Sequence, residues 1–411
     1  MDKVCEKDNC TGCRACLNIC AHSAIEMKKN NLDVEEASVI IDKCKKCGLC
    51  KLVCPQKIQI SLNPISKCFA AWSNDQETRR RSASGGVASE LYKWALENEY
   101  WIAGVKYTNT REPVYCLTND ITDILSFQNS KYVSSNMGLI YREIAYKLKM
   151  GKSVLCIGLP CQVAGIKRYC EMKGLSIEKL ILIDLVCHGT APYAYLEEHI
   201  CNIEKKKNMT ATEVSFRDPD THTYTFTFTL KNDNKTFYAK KVESNDTYQI
   251  GYHKGIIYRE NCYNCKYACL DRIGDLTLAD FSYVGTKAEC LYDNKNVSCV
   301  LTNSRKGEKI LMEMNQLGSI YCEERPMQEE TEYEMMLHRP TVRPAERPIF
   351  LQEYNKTHNF DHSMKMAAKN QIIKNQIISL SHYRKLKSYI SRIIPLRIKK
   401  MLKVEKGNGV K

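Results

Sequence analysis

The sequence predicts an α/β core with a mixed, partly parallel sheet, preceded by a small cysteine-rich α+β module and followed by a helical basic tail. Three observations carry that expectation. A cysteine ladder occurs twice before residue 62, short apolar runs flank a helical pattern in the middle, and lysine and arginine crowd an amphipathic stretch after residue 350. The expected divisions are therefore 1–62, 63–350 and 351–411.

The first ladder is Cys10, Cys13, Cys16 and Cys20, and the second is Cys44, Cys47, Cys50 and Cys54, every member displaced by 34 positions. In the spacing C-x2-C-x2-C-x3-C, three thiolates close on one cubane iron-sulfur cluster from a tight loop and the fourth crosses to the other cluster. The pattern assigns Cys10, Cys13, Cys16 and Cys54 to one 4Fe-4S cluster, and Cys44, Cys47, Cys50 and Cys20 to a second. Pro55 follows the second ladder as the pattern expects, whereas Ala21 stands at that place in the first. Zinc ribbons are the competing reading, but zinc uses two separated C-x2-C pairs rather than a close triplet plus one. Residues 1–62 resemble a bacterial-type two-cluster ferredoxin, so the chain is expected to move electrons.

At 411 residues the chain has room for two or three domains. Of its 22 cysteines the two ladders fall at metal spacings, and no charged-then-apolar leader opens the chain, so a reducing cytoplasm is the expected compartment. No apolar run reaches the roughly 18 residues that a spanning helix requires. The net charge is +14, and residues 365–411 hold 13 lysines and arginines against the single acid Glu405. Pro326, Pro340, Pro344 and Pro348 gather ahead of this tail, which predicts an extended connector and a boundary near residue 350.

Within the core, Ser82-Ala83-Ser84-Gly85-Gly86 precedes an amphipathic helical pattern from Val87 to Asn98. Free amides and the positive dipole end at a helix start form an anion site, in which Ser84, Gly85 and Gly86 would hold a cofactor phosphate beside Arg79, Arg80 and Arg81. An ordinary serine cap with a flexible turn leaves the same signature. Val154–Ile157 and Leu180–Val186 read as buried strands, with a helix over Gln162–Lys173 between them that Gly174 ends. So short a strand-helix-strand unit forms a right-handed crossover, which makes the strands parallel and puts their carboxyl ends on one edge. Cys161 leaves the first strand there and Cys187 the second, where open parallel sheets place ligands. Cys262 and Cys265 form a loop pair able to complete a four-thiolate set for a third 4Fe-4S cluster. A zinc tetrathiolate or plain packing of apolar cysteines fits the spacing equally well.

In Arg81–Gly86, Ser130-Lys131-Tyr132, Gly158–Gln162, Ile183–Gly189, Cys262–Tyr267, Arg272–Asp275 and Ala279–Phe281, taken in order, the chain resembles the coenzyme F420 reducing hydrogenase beta subunit family. That family includes F420-dependent formate dehydrogenase beta subunits and chlorophyll-pathway reductases. The resemblance implies an FAD-binding α/β domain that passes electrons between iron-sulfur centres and a two-electron carrier or organic substrate. It also implies a third cluster on Cys161, Cys187, Cys262 and Cys265, and FAD contacts from Ser84, Gly85, Gly86, Lys131 and Tyr132. An iron-sulfur flavoprotein oxidoreductase is the expected function, with an electron-transfer subunit serving a partner enzyme as the alternative. A ferredoxin, a deazaflavin or a nicotinamide is the expected carrier, although no residue identifies a deazaflavin-binding face.

His188 beside Cys187 either tunes a cluster, moves a proton or is an ordinary satisfied histidine. Cys269 competes with Cys265 as a ligand, and Cys5, Cys68 and Cys156 are expected to pack in the core. Tyr224–Leu230 and Lys235–Val242 read as a hairpin that covers the sheet or meets a partner. In the tail, Ile372, Ile373, Ile377, Ile378, Leu380, Leu386, Ile390, Ile393, Ile394 and Leu402 alternate with basic residues. That pattern suits a helix on an anionic membrane surface, a solvated helix or one bound to a protein partner, and without an aromatic platform nucleic acid is not expected.

Overall fold

The computed structural model describes residues 3–6 and 8–380. Strands β1 (Ile25–Lys29) and β2 (Glu35–Val39) pair antiparallel within the first module. The core contributes β3 (Lys67–Ser73), β4 (Trp101–Tyr107), β5 (Pro113–Thr118), β6 (Val154–Gly158) and β7 (Leu180–Leu185). A small sheet of β8 (Glu213–Ser215), β9 (Phe228–Asn232) and β10 (Lys235–Lys240) follows. The chain then returns with β11 (Leu276–Asp280), β12 (Ser298–Thr302) and β13 (Ile320–Arg325).

The main sheet has eight strands in the order β13-β3-β12-β11-β7-β6-β4-β5. Strands β4, β6, β7 and β11 pair in parallel, and β3, beyond antiparallel β12, points the same way. Edge strands β5 and β13 run against them. The core is therefore α/β with a mixed, partly parallel sheet. Its centre reads as apolar sequence broken in β7 only by Asp184, because both faces are covered: all five residues of β6 are buried, and so are Leu180–Asp184 of β7. The segments after Ser73, Gly158, Leu185 and Asp280 all leave at one edge of the sheet.

The helix after β6 spans Pro160–Met172 and so begins two residues ahead of the expected Gln162. Proline presets the helical φ in a first turn, and the Leu159 amide donates to Gln162 Oε1 at 3.1 Å, closing that turn. Cys161 is thus carried on a helix rather than on a loop.

The hairpin turns at Asp233 and Asn234, both left-handed at φ 44° and 65°. Its first strand starts at Phe228 rather than Tyr224, because Thr223–Thr225 form a 3-10 turn and Phe226 is itself left-handed. The hairpin pairs with β8 in the separate small sheet, where buried Phe228 and Leu230 share a core with Tyr195, Tyr248 and Phe360.

The proline-rich stretch is packed rather than extended. Leu337 is fully buried, and Arg325 binds Glu329, whose Oε1 also accepts the Gly285, Lys287 and Ala288 amides. Pro348 lies in the first turn of helix Arg347–Thr357, a place where its missing N–H costs nothing. The boundary expected near residue 350 falls inside this helix, which buries Phe350 and Tyr354, and helix Phe360–Ala367 adds Phe360 and Met364. Helix Lys369–Leu380 continues the helical C-terminus. The tail positions Leu386, Ile390, Ile393, Ile394 and Leu402 lie outside the described residues.

Candidate functional site

Each ladder folds around two left-handed residues, Gly12 and Arg14 in the first and Lys46 and Gly48 in the second, so the 34-residue repeat is conformational as well as chemical. Short helices Ala15–Ile19 and Leu49–Leu52 follow these reversals. Cys10, Cys13, Cys16 and Cys54 line one cavity, so the last cysteine of the second ladder does reach the first set. Backbone amides of Gly12 and Ala37 face Cys10, that of Ala15 faces Cys13, and those of Gln56 and Lys57 face Cys54. Each favours the thiolate. In the second set the Lys46 amide approaches Cys44 Sγ at 3.4 Å and the Ala24 amide approaches Cys20 Sγ at 3.3 Å. Burial, then neighbouring Cys44 and Cys47, push the Cys50 thiol up.

Cys5, expected only to pack, lines the first cavity and hydrogen-bonds Cys10 and Cys54, which lowers the pKa of both.

A second cavity, about 660 Å³ including its open mouth, is lined by Cys161, Cys187, Cys262 and Cys265. Cys161 arrives from the helix after β6, Cys187 from the segment after β7, Cys262 from the 3-10 turn Glu260–Asn264 and Cys265 from the residue that ends it. Burial raises Cys161, Cys187 and Cys265, the last to about 11, and neighbouring thiols push the same way. The Gly189 amide faces Cys187, and the Tyr267 and Ala268 amides face Cys265. Among the described residues, no three His, Cys, Asp or Glu side chains converge closely enough for one metal ion. These thiols rim a space instead. Cys269 is absent from that rim, its Sγ lying 3.2 Å from the Asp271 carbonyl oxygen.

The first set adjoins both others, taking Cys54 from the second ladder and sharing Thr11 with the second cavity. Cys50 acts electrostatically on Cys16, and Cys13 acts on Cys161. Thr11 lines both cavities. Buried Arg259 spans the seam, with Nη1 donating to the Thr11 carbonyl at 2.7 Å and Nη2 to those of Cys10 and Glu35 at 3.1 Å. Gly12 allows this approach, since a Cβ there would lie 2.6 Å from the guanidinium. Further core donors reach module carbonyls: Lys167 to Ser61 at 2.8 Å, Arg168 to Leu52 at 3.0 Å and Tyr267 to Pro55 at 3.2 Å. Behind the third set, fully buried Asp184 accepts from Arg272 at 2.8 Å, and Arg272 also donates to the Tyr267 and Cys269 carbonyls, which fixes the loop carrying Cys262 and Cys265.

At the same sheet edge, Ser84 Oγ donates to the Val297 carbonyl at 2.8 Å and the Gly85 amide to Ser298 Oγ at 2.9 Å. Those two donors are therefore engaged with the β12 segment. Gly86, at φ +88°, begins helix Val87–Glu97. Arg80 pairs with Glu77, and Arg79 stacks over Trp72 at 4.7 Å. Arg217, which the sequence did not single out, is buried and joins three motif segments. It donates to Tyr132 Oη at 2.7 Å and to the Ala83 carbonyl, and it pairs with Asp280, while the Phe226 ring lies 4.1 Å away. Lys131 donates to the Gln128 carbonyl at 3.0 Å, and burial pushes its ammonium down to about 8. Tyr132 stacks on Tyr252 at 4.6 Å. His188 is exposed at the mouth of the second cavity, its Nε2 3.9 Å from Glu334.

Residues 9–58 match the 4Fe-4S dicluster domain, which makes the amino-terminal module an iron-sulfur electron carrier. Residues 68–140 match the N-terminal part, and residues 151–328 the C-terminal part, of the coenzyme F420 hydrogenase/dehydrogenase beta subunit. The chain belongs to that family, with the dicluster domain fused ahead of it. It is 26% identical over 178 residues to the coenzyme F420-dependent sulfite reductase of Methanocaldococcus jannaschii, a match covering 41% of this chain and 26% of the relative. The chain thus spans about a quarter of that protein's length. A chain of the F420-reducing NiFe hydrogenase complex from Methanosarcina barkeri superposes with a TM-score of 0.44 at 16% identity, covering 76% of this chain and 94% of that one.

Proposed function

We propose that the chain is an iron-sulfur flavoprotein oxidoreductase linking a one-electron donor to a two-electron carrier or organic substrate. The observation that supports it best is the convergence of Cys161, Cys187, Cys262 and Cys265 on one cavity that shares Thr11 with the first ladder. In this reading Cys10, Cys13, Cys16 and Cys54 hold one 4Fe-4S cluster, and Cys44, Cys47, Cys50 and Cys20 hold the second. The third belongs to the convergent set. Thiols that rim a space, with amides facing them, fit a cuboidal anionic cluster better than a point-like ion.

FAD is assigned to Ser84, Gly85, Gly86, Lys131 and Tyr132. The fit there is one of position, since Arg217 gathers these segments at one edge. Because the Ser84 hydroxyl and Gly85 amide are engaged, phosphate binding falls to Gly86 and the start of the helix behind it. When bound, the clusters supply one-electron steps and FAD their conversion to two-electron transfer. The chain itself buries or half-buries all of these thiols except Cys47 and holds Lys131 Nζ on the Gln128 carbonyl, its ammonium pushed down to about 8 by burial.

Its relatives' names favour a deazaflavin as the two-electron carrier, ahead of a nicotinamide, with a ferredoxin-type protein as the one-electron partner. We assign peripheral membrane contact to the basic tail. No helix among the described residues is long and apolar enough to cross a membrane. A second reading, an electron-transfer subunit with no substrate of its own, is favoured by the 26% span of the sulfite reductase relative.

Anaerobic purification tests the proposal. About twelve iron atoms with matching sulfide and one FAD per chain are expected, with cluster signals in electron paramagnetic resonance after dithionite. Zinc in place of iron overturns it. Flavin bleaching by reduced deazaflavin without added subunits separates the enzyme from the subunit.

A further inference from the structure

The two ladders share one backbone plan but face different surroundings. Cys47 alone of the ladder cysteines is exposed, among the described residues. Around it Lys43, Lys45, Lys46 and Lys51 are exposed, and none of these ammonium groups pairs with a carboxylate among the described residues. Between them Ile41, Leu49 and Leu52 stand out at 64%, 39% and 47% exposure. Asp42 is the only acid from residue 41 to 52. In the first ladder, 34 positions earlier, the four lysines correspond to Asn9, Thr11, Gly12 and Leu17. That copy faces the core, where Thr11 lines both cavities and Gly12 meets Arg259. The lysines are therefore not needed to fold a ladder. They belong to the copy that faces out.

We propose that this face docks an acidic electron-carrier protein, its carboxylates meeting the lysine rim and an apolar spot meeting Ile41, Leu49 and Leu52. The inference rests on the reading that Cys44, Cys47, Cys50 and Cys20 hold a cluster. One electron leaves the reduced carrier and one reduces that cluster, with no bond or proton exchanged. Opposite charge around a small apolar centre gives fast, weak and salt-sensitive encounter, as turnover of a carrier demands. The wiring also favours entry here, because it is the first set, through Thr11, that adjoins the cavity of Cys161, and none of Cys20, Cys44, Cys47 and Cys50 lines that cavity.

The test uses the full, cluster-loaded chain and a purified acidic two-cluster ferredoxin, followed by stopped-flow bleaching of the clusters. For the native chain the second-order rate should fall at least tenfold from 20 mM to 500 mM salt. The combined variant Lys43→Glu, Lys45→Glu and Lys51→Glu, which leaves Lys46 and its amide to Cys44 untouched, should lose that salt dependence and react at least tenfold more slowly at low salt. The milder glutamine series should fall between, and all should retain native iron and react with a small viologen radical at high salt within twofold of native. A salt-independent native rate, or reversed-charge variants with native iron and unchanged ferredoxin rates, overturns the docking face. A native chain without iron overturns the cluster reading itself, which iron analysis distinguishes before any rate is measured.

Discussion

At the scale of single residues, the seam between module and core depends on Arg259. Its guanidinium serves three carbonyls of the module, while its Nε is buried without a partner among the described residues. Replacing it by glutamine keeps a donor but removes a positive charge lying between the first and third thiol sets. A reduced cluster is more negative than an oxidised one, so on the proposed ligation the potentials of the clusters on either side should move to more negative values. A redox titration followed by magnetic resonance reads this, and unchanged potentials would reduce Arg259 to a structural tie. Cys161 makes the complementary case. On the proposed ligation, Cys161→Ser removes one of four thiolates from the third set alone, so iron should fall from about twelve to about eight per chain while the ladder signals persist. A variant that keeps all its iron would show that Cys161 is no ligand.

At the scale of elements, a buried charge network fastens the C-terminal helices to the core. His199, on helix Tyr193–Lys207, lies with Nδ1 2.6 Å from Asp361 and Nε2 3.0 Å from Asp246. Asp246 caps helix Thr247–His253, and Asp361 belongs to helix Phe360–Ala367. Burial opposes the imidazolium, but Asp246 and Asp361 outweigh it and hold His199 up to about 9. Against the same opposing burial, His199, Thr247 and Asn202 hold Asp361 down to about 2. A histidine raised from its unfolded value near 6.5 stabilises fully below that pH and ceases to do so as pH rises through 9. Its contribution is of order 3 kcal/mol. Melting temperature should therefore fall between pH 6.5 and 9 in the native chain and stay flat there in His199→Gln, as calorimetry would show. None of this network was legible in sequence, because His199 sits in an ordinary amphipathic helix and Asp361 is 162 positions away. Arg217 and Arg259 escaped for the same reason, their partners lying 63 to 249 positions distant. The ladders and the β6-helix-β7 unit were readable because spacing and continuous apolar runs are local properties. The prolines misled because a first-turn proline such as Pro348 leaves the same trace as an extended connector.

At the scale of the whole molecule, the reach of the buried core past Phe350 decides how the tail can be tested. A chain ending at Phe350 loses Tyr354, Phe360 and Met364 from the core they share with Tyr195 and Tyr248, and loses Asp361 from His199. Each buried side chain of this size contributes about 1.5–3 kcal/mol, so their joint removal rivals the typical 5–15 kcal/mol stability of a domain. Such a chain should aggregate, whatever the tail does. A chain ending at Leu380 keeps all of these groups and sheds ten lysines and arginines with the lone acid Glu405. It should retain native iron and melting temperature. Each basic residue near an anionic surface contributes about 1 kcal/mol, so flotation with phosphatidylserine vesicles should drop sharply for the shortened chain. Neutral phosphatidylcholine vesicles should distinguish neither form, because the attraction is chiefly one of charge. Equal flotation on anionic vesicles would remove the tail from membrane contact and turn attention to Ile373 and Ile377, exposed at 42% and 62% on helix Lys369–Leu380. One helical turn apart, they form an apolar step that survives the cut and that charge removal cannot silence.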